Sequence, residues 1–297
     1  MFQPRENRVW LKDLVAKECV LAPCVFDCMS AKVAELCGFK AILLSGGEIE
    51  EVGMGLPNLG MHSIDFIEDI VYSITSSCSL PLAVDVDNGF GGPLAVYRNV
   101  DRLVRAGASA IQLEDKASEG SARYLTRAEH IAKIKAAVAA TEGSNCIVIA
   151  RTQINLNEDF EEAVARANEA LEAGAEMTLC SARNMEQAKA IADRVPGWKM
   201  FPDIGFRDGK PTADVPGLAA MGYNFVTMHF FLKSAVNGML RDGHENLKNM
   251  NNAFTSQQEV DGVRGASALP FWNIQEFFDF EEKFTGIHKE FKPFGRR

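Results

Sequence analysis

The strongest constraint on this chain is a rhythm. Short apolar runs alternate with stretches of helical pattern eight times over roughly 230 residues, a repeat that a parallel α/β barrel satisfies. The runs are residues 19–26, 41–45, 81–87, 110–115, 146–152, 177–181, 198–202 and 224–229. Three helical stretches end alike, in Arg-Ala-Gly107-Ala, Glu-Ala-Gly174-Ala and Ala-Met-Gly222-Tyr, with glycine just past the helix and a run just after it. Thr126-Arg-Ala-Glu129 has the spacing of a capping box and predicts a helix start. An open doubly wound sheet is the alternative, but no G-x-G-x-x-G follows the first run, and Gly89-Phe-Gly-Gly92 after the third lacks that spacing. The expectation is a (β/α)8 TIM-type barrel over residues 1–243, opened by a short amphipathic helix before Lys17. Gly46-Gly47 reads as the start of a long loop reaching to about Gly60.

Residues 244–297 are expected to be a C-terminal helical extension of the same domain. Their aromatic stretch Phe271-Trp-Asn-Ile-Gln-Glu-Phe-Phe-Asp-Phe is too apolar to lie free and should pack on another subunit. A chain of 297 residues with 47% hydrophobic content can bury a large core without disulfides, and its seven cysteines lie mostly in apolar runs, so they read as core thiols of a reduced, cytoplasmic protein. Cys24-Val-Phe-Asp-Cys28 has loose metal-knuckle spacing but no second pair. The formal net charge of −9 and the lack of a basic cluster argue against a nucleic-acid partner. No run reaches membrane-spanning length and the N-terminus has no apolar signal segment, so no membrane partner is expected.

Chemistry in such a barrel gathers at the C-terminal ends of the strands. Those ends read Ser45-Gly46-Gly47, Asp85 and Asp87, Glu114-Asp115-Lys116, Arg151-Thr152, Ser181 and Asp203. Alternation along a strand would turn Asp85 and Asp87 to one side, where two like charges repel unless a cation or proton separates them. The same pair also reads as a capped strand end closed by an Asn-Gly turn. The full ring is harder to dismiss: several carboxylates converge with one Arg and one Lys, and a hard divalent cation with an anionic substrate on Arg151 and Lys116 would balance them. Of the histidines, His62 and His229 fall near strand or loop ends, with a core or supporting role expected for His229; His130 and His244 read as surface helix residues.

Leu44-Ser-Gly-Gly47, Gly55-Leu-Pro-Asn-Leu-Gly60, Asp85-Val-Asp-Asn-Gly-Phe-Gly91, Leu113-Glu-Asp-Lys116 and Ala150-Arg-Thr152, in that order and spacing, resemble the isocitrate lyase/phosphoenolpyruvate mutase superfamily over residues 10–285. The resemblance implies a Mg²⁺-dependent barrel (Mn²⁺ serving in its place), tetrameric, with C-terminal helices exchanged between subunits. It implies substrates that are small 2-oxo or 2-hydroxy acids. Asp85, Asp87 and Glu114 would surround the metal, mostly through waters. Ser45, Gly46 and Gly47 would hold the substrate carboxylate and Arg151 would clamp it.

The departures narrow the reaction. Isocitrate and methylisocitrate lyases carry a Cys- and His-bearing loop after the fourth strand; residues 117–125 here have neither. Mutases follow Glu-Asp-Lys, after five residues, with Asn-Ser; Ala122-Arg123 stands there instead. Asn58 replaces the usual aspartate of Gly-Leu-Pro-Asp, and Ser181 with Arg183 occupies the acidic or His position after the sixth strand. An extra cation at Arg183 would suit a second carboxylate or a phosphonate, and pairing with a surface Glu is an equal alternative. The expected activity is therefore a Mg²⁺-dependent lyase or decarboxylase of a small oxaloacetate-like diacid, with Arg151, Lys116 and Asn58 as its catalytic groups. Phosphonopyruvate chemistry, from Glu114-Asp-Lys116, and a catalytically decayed barrel, from Asn58 and the altered loop, are the alternatives.

Overall fold

The structure is a computed structural model that describes residues 9–118, 123–260, 263–264 and 272–290. Ten strands precede residue 230: β1 (Val20–Val25), β2 (Ile42–Leu44), β3 (Leu82–Asp85), β4 (Ala110–Glu114), β5 (Ile147–Thr152), β6 (Met177–Cys180), β7 (Trp198–Phe201), β8 (Phe206–Arg207), β9 (Lys210–Pro211) and β10 (Phe225–Met228). Eight of them close a barrel in the order β1-β10-β7-β6-β5-β4-β3-β2, with every neighbouring pair parallel. The remaining pair, β8 and β9, is a small antiparallel hairpin after β7.

The strands read as continuous apolar runs because both faces are covered. One parity fills the barrel: Ala22, Cys24, Leu43, Ala83, Ala110, Ile147, Ile149, Met177 and Leu179 share one cluster. The other parity packs outward under the helices, as with Val25, Leu44, Val84, Ile111 and Val148. Leu11 and Val15, from the helix Leu11–Val15, join the interior cluster and plug one end. Ser109 Oγ accepts the Leu11 N–H at 2.7 Å, and Asn224 Nδ2 donates to the Val15 carbonyl at 3.1 Å, which ties that plug in place.

Helix starts and stops follow local chemistry. Thr126 and Glu129 form the expected capping box at the start of Arg127–Thr141. Gly107, Gly174 and Gly222, the three shared helix ends, all have positive φ (104°, 103° and 81°), where a side chain would be strained. Two expectations are corrected. Residues 46–53 form a helix, Gly46–Gly53, in place of the start of a loop: the Ser45 hydroxyl accepts the Glu48 N–H (3.4 Å), and that cap, with burial of Ile49, outweighs the low helix propensity of its three glycines. His130 is 1% exposed, on the inward face of its helix, and not at the surface.

The chain divides into two compact units, the barrel up to Leu232 and a second unit from Lys233 onward. The helix Phe231–Asn249 runs through the 243/244 boundary expected from sequence. The second unit also holds the helices Ala253–Gln257 and Ile274–Thr285, neither with a buried residue. Phe280 and Phe284 stack edge to face at 5.0 Å yet stay exposed, as does Phe277; Phe271 lies outside the described residues. Among the described residues no helix is long and apolar enough to cross a membrane.

Candidate active site

The interior parity that is apolar at one end of each strand turns polar at the other. Ala83 is followed two residues on by Asp85, Ala110 by Gln112 and then Glu114, and Ile149 by Arg151. These side chains meet at the mouth around a cavity of about 210 Å³, below the roughly 300–1,000 Å³ of drug-sized pockets and suited to a small acid. Leu43, Leu179 and Met200 form its apolar floor. Ser45, Gly47 and Asn58 line one side, Asp85, Asp87, Gln112 and Arg151 another, and Asp203 and His229 the third.

The Ser45 side is an anion seat. The N-terminus of the helix Gly46–Gly53 opens there, and unpaired N–H groups at a helix start favour negative charge. The helix start packs closely on its neighbours, Gly47 most tightly. A Cβ on Gly47 would lie 2.5 Å from Asn58 Nδ2, and one on Gly46 3.3 Å from Asp87 Oδ1.

The two aspartates reach the cavity by a route that differs from the expected one. β3 ends at Asp85, and Asp87 has φ +46°, in the left-handed region. Strand alternation therefore does not align the pair; a tight turn does, with the Asp87 N–H donating to Asp85 Oδ1 at 3.2 Å. Arg151 Nη1 lies 3.2 Å from Asp85 Oδ2, and its Nε 3.6 Å from Glu114 Oε2. Glu114 is 1% exposed and sits behind this layer, where Gln153 Nε2 donates to its Oε2 at 2.7 Å. Asp115 is wholly buried, accepting from Thr152 Oγ1 (2.6 Å), the Gln153 N–H (2.9 Å) and Arg166 Nη1 (3.2 Å), so it anchors the β4 and β5 ends.

Besides Gly46 and Glu114, three further sequence candidates stand away from the cavity lining. Lys116 pairs through its backbone with Tyr124 at the base of the following loop. Ser181 donates to the Thr152 carbonyl at 3.0 Å. Arg183 is exposed. The loop expected to choose the reaction includes residues 119–122, which lie outside the described residues.

Sequence reading undervalued the third side. Asp203 follows β7 and His229 follows β10. Asp203 Oδ1 accepts the His229 backbone N–H at 3.0 Å and lies 3.4 Å from His229 Nδ1. Burial alone would push the imidazole down, but Asp203, helped by Glu48 and Asp85, holds it above its ordinary range. Burial raises the Glu48 carboxyl against the opposing pull of His229, with Glu51 and Asp203 raising it further. No cysteine lines the cavity, and burial pushes the thiols of Cys24 and Cys180 up, the latter to about 12. The signal for His229 was its position at the end of the eighth run; nothing local pointed to Asp203, 26 residues earlier, as its partner.

The donor set fits a hard cation of limited demand. Asp85, Asp87 and Gln112 offer only oxygen or amide groups, and the buried Gln112 Oε1 has no hydrogen-bond partner. Among the described residues no group of three or more His, Cys, Asp or Glu is placed to hold a metal. Mg²⁺ suits such a site, because it keeps several waters and takes only one or two carboxylates.

The sequence matches the phosphoenolpyruvate phosphomutase family model over residues 11–248. An oxaloacetate decarboxylase of Paraburkholderia xenovorans is 34% identical over 200 residues, 65% of this chain and 67% of that protein. A 2-methylisocitrate lyase of Vibrio cholerae is 35% identical over 153 residues, so the match spans half of each chain, 50% in both cases. A crystal structure of oxaloacetate acetylhydrolase superposes with a TM-score of 0.81 at 25% identity, covering 96% of this chain and 99% of that one. With that match over most of its length and a closed eight-stranded parallel barrel, the chain belongs to the phosphoenolpyruvate phosphomutase family of the isocitrate lyase/phosphoenolpyruvate mutase superfamily.

Proposed function

We propose that this enzyme decarboxylates a small oxaloacetate-like 2-oxo diacid in the presence of Mg²⁺. The observation that carries the reading is His229, backed by Asp203, on the same small cavity as Asp85, Asp87 and Arg151. A carbon–carbon cleavage that leaves an enolate needs an acid, and the loop cysteine that serves the lyases is missing from this sequence. His229 fills that role from the opposite side of the mouth. Charge balance supports the same choice. Among the described residues that line the cavity, Arg151 is the one Arg or Lys, which suits one retained carboxylate and a second that departs as CO₂ better than a tricarboxylate. Lys116, on which phosphonopyruvate chemistry would lean, is not part of the lining.

In this reading Ser45 and the N–H groups of Gly46 and Gly47 seat the retained carboxylate, and Arg151 clamps it. Asp85 and Asp87, with Glu114 behind them, would hold Mg²⁺, which would supply stabilisation of negative charge on the 2-oxo oxygen. As the bond between C3 and C4 breaks, CO₂ leaves and its electron pair stays on C3. His229 Nε2–H delivers the proton to C3 while Asp203 steadies the imidazole through Nδ1. Asn58 orients the reacting end with an amide in place of a carboxylate, so it adds no charge to repel the diacid. Incubation with oxaloacetate and Mg²⁺, followed by pyruvate detection, tests the reading; no pyruvate above the metal-only background counts against it. The exposed Phe277, Phe280 and Phe284 support self-association into a homotetramer, which light scattering on the eluted protein would measure.

A further inference from the structure

Arg151 is only loosely engaged by the carboxylate that stands opposite it. β4 and β5 pair so that Arg151 faces Glu114, yet Arg151 Nε stops 3.6 Å from Glu114 Oε2. Charge-assisted pairs of this kind close to about 2.7–2.9 Å when nothing holds them apart. Nε is buried and has no hydrogen-bond partner, which is costly for a charged donor. An acceptor stands beside it and is held back.

Gln153, one residue past the end of β5, holds it. Its Nε2 donates to the same Glu114 Oε2 at 2.7 Å, a closer hold than the guanidinium has. The Gln153 backbone is pinned on both sides. Its N–H donates to Asp115 Oδ1 at 2.9 Å, and its carbonyl accepts the Tyr124 hydroxyl at 3.0 Å. Burial, then the charges of Asp115, Glu158 and Glu114, raise the Tyr124 phenol, so it remains a donor. Asp115 is fixed in turn by Thr152 Oγ1 and Arg166 Nη1. At the other end of the amide, the Ser181 hydroxyl lies 3.3 Å from Gln153 Oε1. The two neighbours set the amide orientation, with its carbonyl toward the hydroxyl and its NH₂ toward the carboxylate. This donor carries no charge and does not titrate.

We propose that Gln153 is a positioning residue: it keeps Glu114 off Arg151 and so leaves the guanidinium available to a substrate carboxylate. Without the amide, Glu114 swings onto Arg151 Nε, and a substrate carboxylate must displace a buried ion pair before it is clamped. The inference rests on the clamp role proposed above for Arg151.

The test is calorimetric titration of the full chain with oxalate in the presence of Mg²⁺, with no turnover involved, together with crystal structures of the variants. Gln153→Met keeps the length of the side chain and removes its donor; Gln153→Lys puts a donor back. Arg151→Met tests the clamp itself. The expected result is binding by the wild type, loss in Arg151→Met, a fall of about tenfold or more in Gln153→Met and recovery to within a few-fold in Gln153→Lys. The Gln153→Met structure should show Glu114 Oε2 at hydrogen-bond distance from Arg151 Nε, a movement that lost packing alone would not direct. Wild-type affinity in Gln153→Met, with Arg151→Met still defective, overturns this inference and leaves the clamp standing. Weak binding in Gln153→Met with Glu114 unmoved also overturns it, as does equal weakness in the Met and Lys variants. Wild-type affinity in Arg151→Met, or no oxalate binding by the wild type, removes the clamp, and this inference with it.

Discussion

The two flanks of the barrel mouth differ in how their charges are arranged. On the β3–β5 flank, opposite charges interlock: Arg151 reaches Asp85 and Glu114, Gln153 holds Glu114, and Asp115 takes Arg166, Thr152 and the Gln153 N–H. Such a lattice is stiff, since each group is held by two or more others. On the β7–β10 flank a single dyad, His229 with Asp203, stands at the edge with Glu48 nearby and no Arg or Lys among the lining residues there. The first flank suits holding an ion and a carboxylate in fixed geometry. The second suits a group that gives up and regains a proton. The proposed cation and clamp groups lie on the first flank, and the proposed acid on the second.

Substitutions should separate these roles. Arg151→Met removes the carboxylate clamp and leaves Asp85 and Glu114 facing each other without their cation; kcat/KM should fall about 10³-fold, with loss of the thermal shift produced by oxalate and Mg²⁺. His229→Ala should lower kcat by about 10²–10⁴-fold while KM and the oxalate shift stay near wild type. An equal loss of oxalate binding in His229→Ala would break the division between the flanks.

Asp203→Asn should act through pH. Asp203 raises the imidazole, and an acid catalyst works only while protonated, so activity falls as pH rises through the His229 pKa. Without the Asp203 charge that fall moves to lower pH, and the rate at neutral pH drops about tenfold. An unmoved alkaline limb in the pH–rate profile would remove His229 as the acid. The smallest effect belongs to Lys116→Ala and Arg183→Ala, whose side chains stand away from the cavity lining: less than about threefold on kcat/KM. A loss of tenfold or more in either would return the phosphonopyruvate or second-carboxylate reading.

What was legible in the sequence follows the same division. The barrel could be read because each strand run and each Ala-Gly helix end states its conformation locally, and Gly107, Gly174 and Gly222 all take the positive φ that their position requires. Asp85, Glu114 and Arg151 could be read because each lies at the C-terminal end of a strand, so topology brings them together; Asp87 joins them through the turn after β3. The Gly46-Gly47 pair misled, because its glycines answer to Asn58 and Asp87 across the mouth and not to a loop. Asp203 with His229 stayed hidden because the pairing forms between separate elements, and neither residue type alone distinguishes a site group from a core or surface one. His130 was misplaced because its helix carries few large apolar residues to mark the buried face.

The most direct test is the product spectrum of oxaloacetate incubated with the wild-type chain and Mg²⁺, followed by proton NMR. Decarboxylation predicts pyruvate, formed well above the metal-only rate and reduced to near that rate by His229→Ala. Acetate with oxalate, or pyruvate no faster than with Mg²⁺ alone, would contradict it.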